Sequence, residues 1–214
     1  MISKEDLLNK MQTFSYQNWR NATLLDNTKS DKTPQFEQDA DNCWLYSMFN
    51  NAYYNFNSDF KLSDVIEVKN RMKSDWVNIK WGNSSITSGC YIAEYLTEKR
   101  DTSIKHFQID FLKDPKWFID LINKWYALEM SRFNCPALYV DAHDDGSVNQ
   151  IYHPFDAKGW HSVNIIRDWK FIRELWTRWE DSNNNTFLYE PYMFWMNCKT
   201  RAISSIFTFL APVK

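Results

Sequence analysis

The chain has 214 residues, with 25 Lys+Arg against 27 Asp+Glu and a formal net charge of −2, which argues against a nucleic-acid binder driven by phosphate neutralisation. No stretch approaches the ~20 apolar residues of a membrane span, and Met1-Ile2-Ser3-Lys4-Glu5-Asp6 lacks the apolar core of a signal peptide. Four cysteines (Cys43, Cys90, Cys135, Cys198) stand far apart with no CxxC, so no disulfide framework, zinc cluster or other cofactor is expected.

Ser3 with Asp6 makes a capping-box-like start. Leu7, Leu8, Met11 and Phe14 then recur at helical spacing and predict a first helix. Residues 21–38 are polar and read as a loop or linker, so residues 1–34 are set apart as an N-terminal helix and linker and 35–214 as the main domain. After Asp41-Asn42, the residues Leu45, Met48, Phe49, Ala52 and Phe56 predict a buried helix beginning at Asn42 or Cys43. Further helices are expected over 63–73 and 88–100, and another follows the N-cap Asp114 with Pro115 in its first turn. The second half changes period. Short apolar runs at 137–140, 161–166, 186–190 and 203–210 read as strands, while Ile172, Leu175, Trp176 and Trp179 suggest an inserted helix over 169–179. Helices followed by an antiparallel sheet give an α+β fold.

Cys43 is the most informative position for chemistry. A thiol at a helix N-terminus meets unpaired N–H groups and the positive end of the helix dipole, both of which favour thiolate. Most free cysteines, by contrast, are small buried apolar residues. Three neighbours favour the chemical reading. Gln38 could donate to an oxyanion, Trp44 follows the thiol directly, and His161 opens a strand from the other half of the chain.

Gln38-(x4)-Cys43-Trp44, Ser88-Gly89-Cys90-Tyr91-Ile92-Ala93, Pro136-Ala137-Leu138-Tyr139-Val140 and Trp160-His161-Ser162-Val163 together resemble, in order, the pattern of papain-like cysteine peptidases. The resemblance covers roughly residues 35 to 195. It implies a papain-like fold, with a helical N-terminal half packed against an antiparallel C-terminal sheet. It also implies a nucleophile at Cys43, a general base and acid at His161, an oxyanion donor at Gln38 and a peptide or protein substrate. Gln38 lies one residue closer to the cysteine than the family's usual spacing, with Gln35 as an alternative, and the family's Asn-Ser-Trp after the histidine is missing. Glu190, closing the run Phe187-Leu188-Tyr189-Glu190, is the best candidate to orient the imidazole. Asp168 and Asn164 are alternatives, although seven residues of extended strand put Asp168 ~23 Å from His161.

Other signals carry less. Asp141-Ala142-His143-Asp144-Asp145-Gly146 begins like a calcium loop, but Tyr152 stands where a bidentate Glu is required. His143 and His153 near His161 lack the spacing of a zinc site. The 11 Trp, 11 Tyr and 15 Phe read first as core packing and second as a groove for glycan or protein. The expected activity is thiol hydrolysis of a peptide or isopeptide bond, with transferase or deamidase chemistry open to the same residues. A catalytically inactive binding module is the alternative. The expected setting is the cytoplasm, or delivery by a route without a signal peptide.

Overall fold

The structure is a computed structural model. It describes residues 11–13, 36–39, 41–56, 60–80, 84–133, 137–142, 148–153, 161–168, 170–177 and 188–213. The helical period after Asn42 becomes helix α1, Cys43–Phe56, with Leu45, Met48, Phe49 and Ala52 fully buried. Helix α2 (Leu62–Ser74) opens with a cap in which the Lys61 N–H donates to the Asp64 carboxylate at 2.6 Å. The same carboxylate takes Tyr95 at 2.5 Å and Lys99 at 2.7 Å from helix α3, Ser85–Arg100. Helix α4 (Pro115–Asn123) has the expected N-cap Asp114 and Pro115. Helix α5, Pro191–Lys199, is not anticipated from the sequence, although Pro191 in its first turn is a start signal.

The strands are β1 (Met11–Thr13), β2 (Ile104–Asp110), β3 (Leu128–Arg132), β4 (Ala137–Ala142), β5 (Val148–His153), β6 (His161–Asp168), β7 (Phe171–Leu175), β8 (Leu188–Tyr189) and β9 (Ile203–Pro212). They form one sheet in the order β1-β2-β9-β3-β6-β7-β8-β4-β5. Every pairing is antiparallel except β1 with β2. The fold is α+β. Apolar residues of α1, α2 and α3 join Ile104 and Leu210 in one core, and those of α4 and α5 join Phe107, Met130, Val163, Ile165, Phe207 and Phe209 in another. Helices thus cover both faces of the sheet. Among the described residues no helix is long and apolar enough to cross a membrane.

Two expectations are corrected. Residues 171–175 are strand β7, not helix. Apolar side chains cover both faces here, with Ile172 and Trp176 in the larger core and Phe171 and Leu175 in smaller clusters. Two filled faces of period 2 therefore imitate a helical i, i+3, i+4 pattern. Met11 lies in β1, which pairs in parallel with β2, so that part of the expected first helix is an edge strand of the sheet. The rest of that helix, and most of the polar segment after it, lie outside the described residues.

Candidate active site

Cys43 is the first residue of α1 and is half-buried. One face of the helix is polar and keyed to β6. The Ser47 and Ser162 hydroxyl oxygens lie 2.8 Å apart, Asn51 Nδ2 donates to Asn164 Oδ1 at 2.9 Å, and Asn164 Nδ2 donates to the Ser47 carbonyl at 2.7 Å. Four helical residues rise about 6 Å and two strand residues about 6.6 Å, so a 43/47/51 stripe keeps step with alternate residues of β6. One turn before Ser47, the stripe arrives at the leading end of the strand. There the backbone N–H of Ser162 faces the Cys43 thiol and favours its charged form. Burial raises the thiol pKa above its ordinary value and the carboxyl of Glu129 adds to the rise, while the N–H groups of Ser162, Trp44 and Cys43 itself oppose it.

His161 is the first residue of β6, and its ring packs on Trp176 with centroids 4.6 Å apart. Val163, on the same side of the strand, faces the larger core, whereas Ser162 and Asn164 face α1. The thiol and the imidazole therefore meet the strand end from its two sides, with the His161–Ser162 peptide between them. Trp176 is itself fixed. Its indole N–H donates to Glu174 Oε2 at 3.0 Å, and the same carboxylate takes Arg132 at 2.8 Å and the Tyr189 hydroxyl at 2.6 Å. Arg132 stands opposite His161 in the β3–β6 register, and its guanidinium lies 5.8 Å from the Trp176 ring. The Arg132 and Glu174 side chains are 1% and 0% exposed. A buried ion pair thus holds the ring that backs the imidazole.

Gln38 approaches from the segment before α1. Its N–H donates to the Thr177 carbonyl at 3.0 Å, and Thr177 Oγ1 donates to its Oε1 at 2.5 Å. Thr177 lies two residues past Leu175, the last residue of β7, which pairs with Asn164 two residues along β6 from Ser162. Gln38 and Cys43 are therefore brought to the same corner of the sheet. With Oε1 accepting from Thr177, the donor end of the amide is Nε2.

Glu190 is not brought there, and its expected role is corrected. Tyr189 pairs with Ile172, and Ile172 with Arg167, so Glu190 follows at the level of Phe171 and Asp168. That is the far end of β6, about 23 Å along the strand from His161. Glu190 is instead the N-cap residue of α5, its carbonyl accepting from Phe194 N–H at 2.9 Å. Asp168 shares that end and is paired with Arg173. Asn164 is used in the clamp on α1.

Sequence reasoning missed Arg132, Glu174 and the buried Glu129. The spans holding Arg132 and Glu129 show no simple alternation, and Glu174 lies where a helix was expected. A charged residue inside an otherwise apolar run was the signal available. Asp141 and Tyr152 belong to the paired strands β4 and β5, and His143 to Gly146 lie outside the described residues. Trp44, Trp117 and Trp176 are core residues, whereas Trp76 is 83% exposed. The chain matches no protein-family model and no curated protein.

Proposed function

We propose that the chain is a thiol hydrolase of papain-like type acting on a peptide or isopeptide bond. Cys43 is the nucleophile, His161 the general base and acid, and Gln38 the oxyanion donor. The observation that carries this reading is that the helix opened by Cys43 is keyed through Ser47–Ser162 and Asn51–Asn164 to the strand opened by His161. The Gln38–Thr177 pair fixed at the same corner supports it.

In the first half-reaction Sγ attacks the carbonyl carbon as its proton passes round the end of β6 to His161. The oxyanion is held by the N–H groups at the start of α1 and by Gln38 Nε2. The imidazolium then gives its proton to the departing amine, leaving a thioester. Water attacks the thioester, His161 takes its proton, and a carboxylic acid leaves with the thiol restored. Because burial raises the thiol pKa, proton transfer accompanies attack instead of preceding it.

The same upward shift favours a second reading, a papain-like module that binds glycan or protein without catalysis. An activated ester separates the two. The hydrolase gives a burst of one acyl group per chain on Cys43, lost in Cys43→Ala and slowed in His161→Ala. A binding module acylates Cys43 no faster than Cys90, Cys135 or Cys198.

A further inference from the structure

Glu129 lies on β3 opposite Asn164, on the face of the sheet that meets α1, and is buried. Its Oε1 accepts the Ser162 hydroxyl, its Oε2 the Thr208 hydroxyl at 2.8 Å, and the Ser85 hydroxyl from α3 also reaches it. Around this carboxyl, α1 presents Cys43 and Ser47, α3 presents Ser85, β6 presents Ser162 and Asn164, and β9 presents Thr208. Of these only Cys43 titrates. Ser162 is the shared link, its hydroxyl hydrogen-bonded to Glu129 and to Ser47 of the nucleophile's helix, and its N–H facing the thiol.

We propose that Glu129 is a positioning residue for the Cys43 nucleophile, its carboxyl setting through Ser162 how readily the thiol gives up its proton. The inference rests on the reading of Cys43 as nucleophile. A count of hydroxyl protons shows how the link accepts both states. With Glu129 ionised, Ser162 donates to Oε1, Ser47 donates to Ser162, and the Trp44 carbonyl is served by Ser88 at 3.2 Å. With Glu129 protonated, the carboxyl donates to Ser162, Ser162 to Ser47, and Ser47 to the Trp44 carbonyl at 3.2 Å. Each arrangement uses one proton per hydroxyl and leaves no oxygen of the chain unbonded. The direction of the chain thus reverses with the charge of Glu129, and its far end is the first turn of the nucleophile's helix. Burial favours the neutral acid, and its three hydroxyl partners favour the anion. Once ionised, Glu129 places a like charge beside any developing thiolate and suppresses it.

The test is the rate of Cys43 alkylation by iodoacetamide from about pH 5 to about pH 10, read by peptide mapping against the other three cysteines. In Glu129→Gln the amide reproduces the protonated arrangement without the charge. Its Cys43 is expected to react about 10-fold faster than wild type where Glu129 is ionised and the thiol is still protonated, the two rates converging once the thiol has titrated. Glu129→Asp, which keeps the charge, should stay near wild type. Coincident Gln and wild-type profiles would overturn the proposal. Should the Gln variant fail to fold, the wild-type profile decides. Coupling requires a shoulder where Glu129 titrates, and an unbroken unit slope up to the thiol's own titration overturns it. The readout is alkylation of one sulfur, so it succeeds or fails whether or not the chain hydrolyses anything.

Discussion

The hydroxyl of Thr177 donates to Gln38 Oε1 at 2.5 Å, joining positions 139 residues apart, and the two backbones are joined as well at 3.0 Å. The segment leading into α1 is thereby stitched to the end of β7. Removing the donor in Gln38→Ala is expected to slow acylation of Cys43 by about 10²–10³-fold. Thr177→Val keeps the volume but releases the amide, and a misplaced donor costs up to about 10²-fold. The burst rate with an activated ester reads both, and wild-type rates in both variants would remove Gln38 from the site.

The opposite ends of β6 make a second contrast. Glu190→Ala should leave the burst rate within about twofold of wild type, because the carboxyl lies about 23 Å along the strand from His161. Glu174→Ala removes the carboxylate that pairs with the buried Arg132 and accepts the Trp176 indole N–H. A loss of about 3–5 kcal/mol in unfolding free energy is expected from breaking this buried pair. Urea unfolding followed by tryptophan fluorescence measures it. Equal stability of the two variants would contradict the role given to Glu174.

His106 on β2 is fully buried, neither ring nitrogen has a hydrogen-bond partner among the described residues, and burial depresses its pKa to about 3. The folded state therefore holds the ring neutral while the unfolded chain protonates it near its ordinary value of 6.5. Between those two values the unfolded state binds the extra proton, so stability falls as pH falls. The loss approaches about 1.4 kcal/mol per pH unit, or about 2 kcal/mol on going from neutral to about pH 5. His106→Leu should flatten this acid limb in urea titrations at the two pH values. An unchanged slope would assign the acid sensitivity to other groups.

The same ring explains Gly89. A Cβ at that position would lie 2.6 Å from His106 Cε1, well inside contact distance. Gly89→Ala is expected to cost about 1–3 kcal/mol through overpacking, offset in part by about 1 kcal/mol of gained helix propensity. Adding His106→Ala should recover part of that loss, so the double mutant cycle must show coupling. Additive effects would mean that the close approach is relieved elsewhere.

The glycine was visible in the sequence as part of a motif, but its reason was not, since His106 lies on a different element, strand β2. Similar limits apply elsewhere. The start of α1 was legible because Asp41 and Asn42 precede a clean helical period, and α4 because Asp114-Pro115 mark its first turn. Strand β7 was not, because apolar residues on both faces erase the period that separates strand from helix. Cys43, His161 and Gln38 could be found as residue types in order along the chain. Glu129 and Glu174 could not, because a buried carboxylate is defined by partners such as Ser162, Thr208, Arg132 and Tyr189 that are scattered through the sequence.

The resemblance to papain-like enzymes implies a thiolate already formed at rest, with a pKa of ~3–4 in that family. The environment of Cys43 points the other way, with burial and Glu129 raising the thiol above its ordinary value. Alkylation of Cys43 should therefore be slow at about pH 5 and climb about tenfold per pH unit outside the range where Glu129 titrates. His161→Ala should change this profile little, because the imidazole acts on the proton during attack on a carbonyl and not on the resting thiol. Its effect should instead appear in the acylation burst. Rapid labelling of Cys43 at about pH 5 that vanishes in His161→Ala would establish the resting ion pair and reverse this order of events.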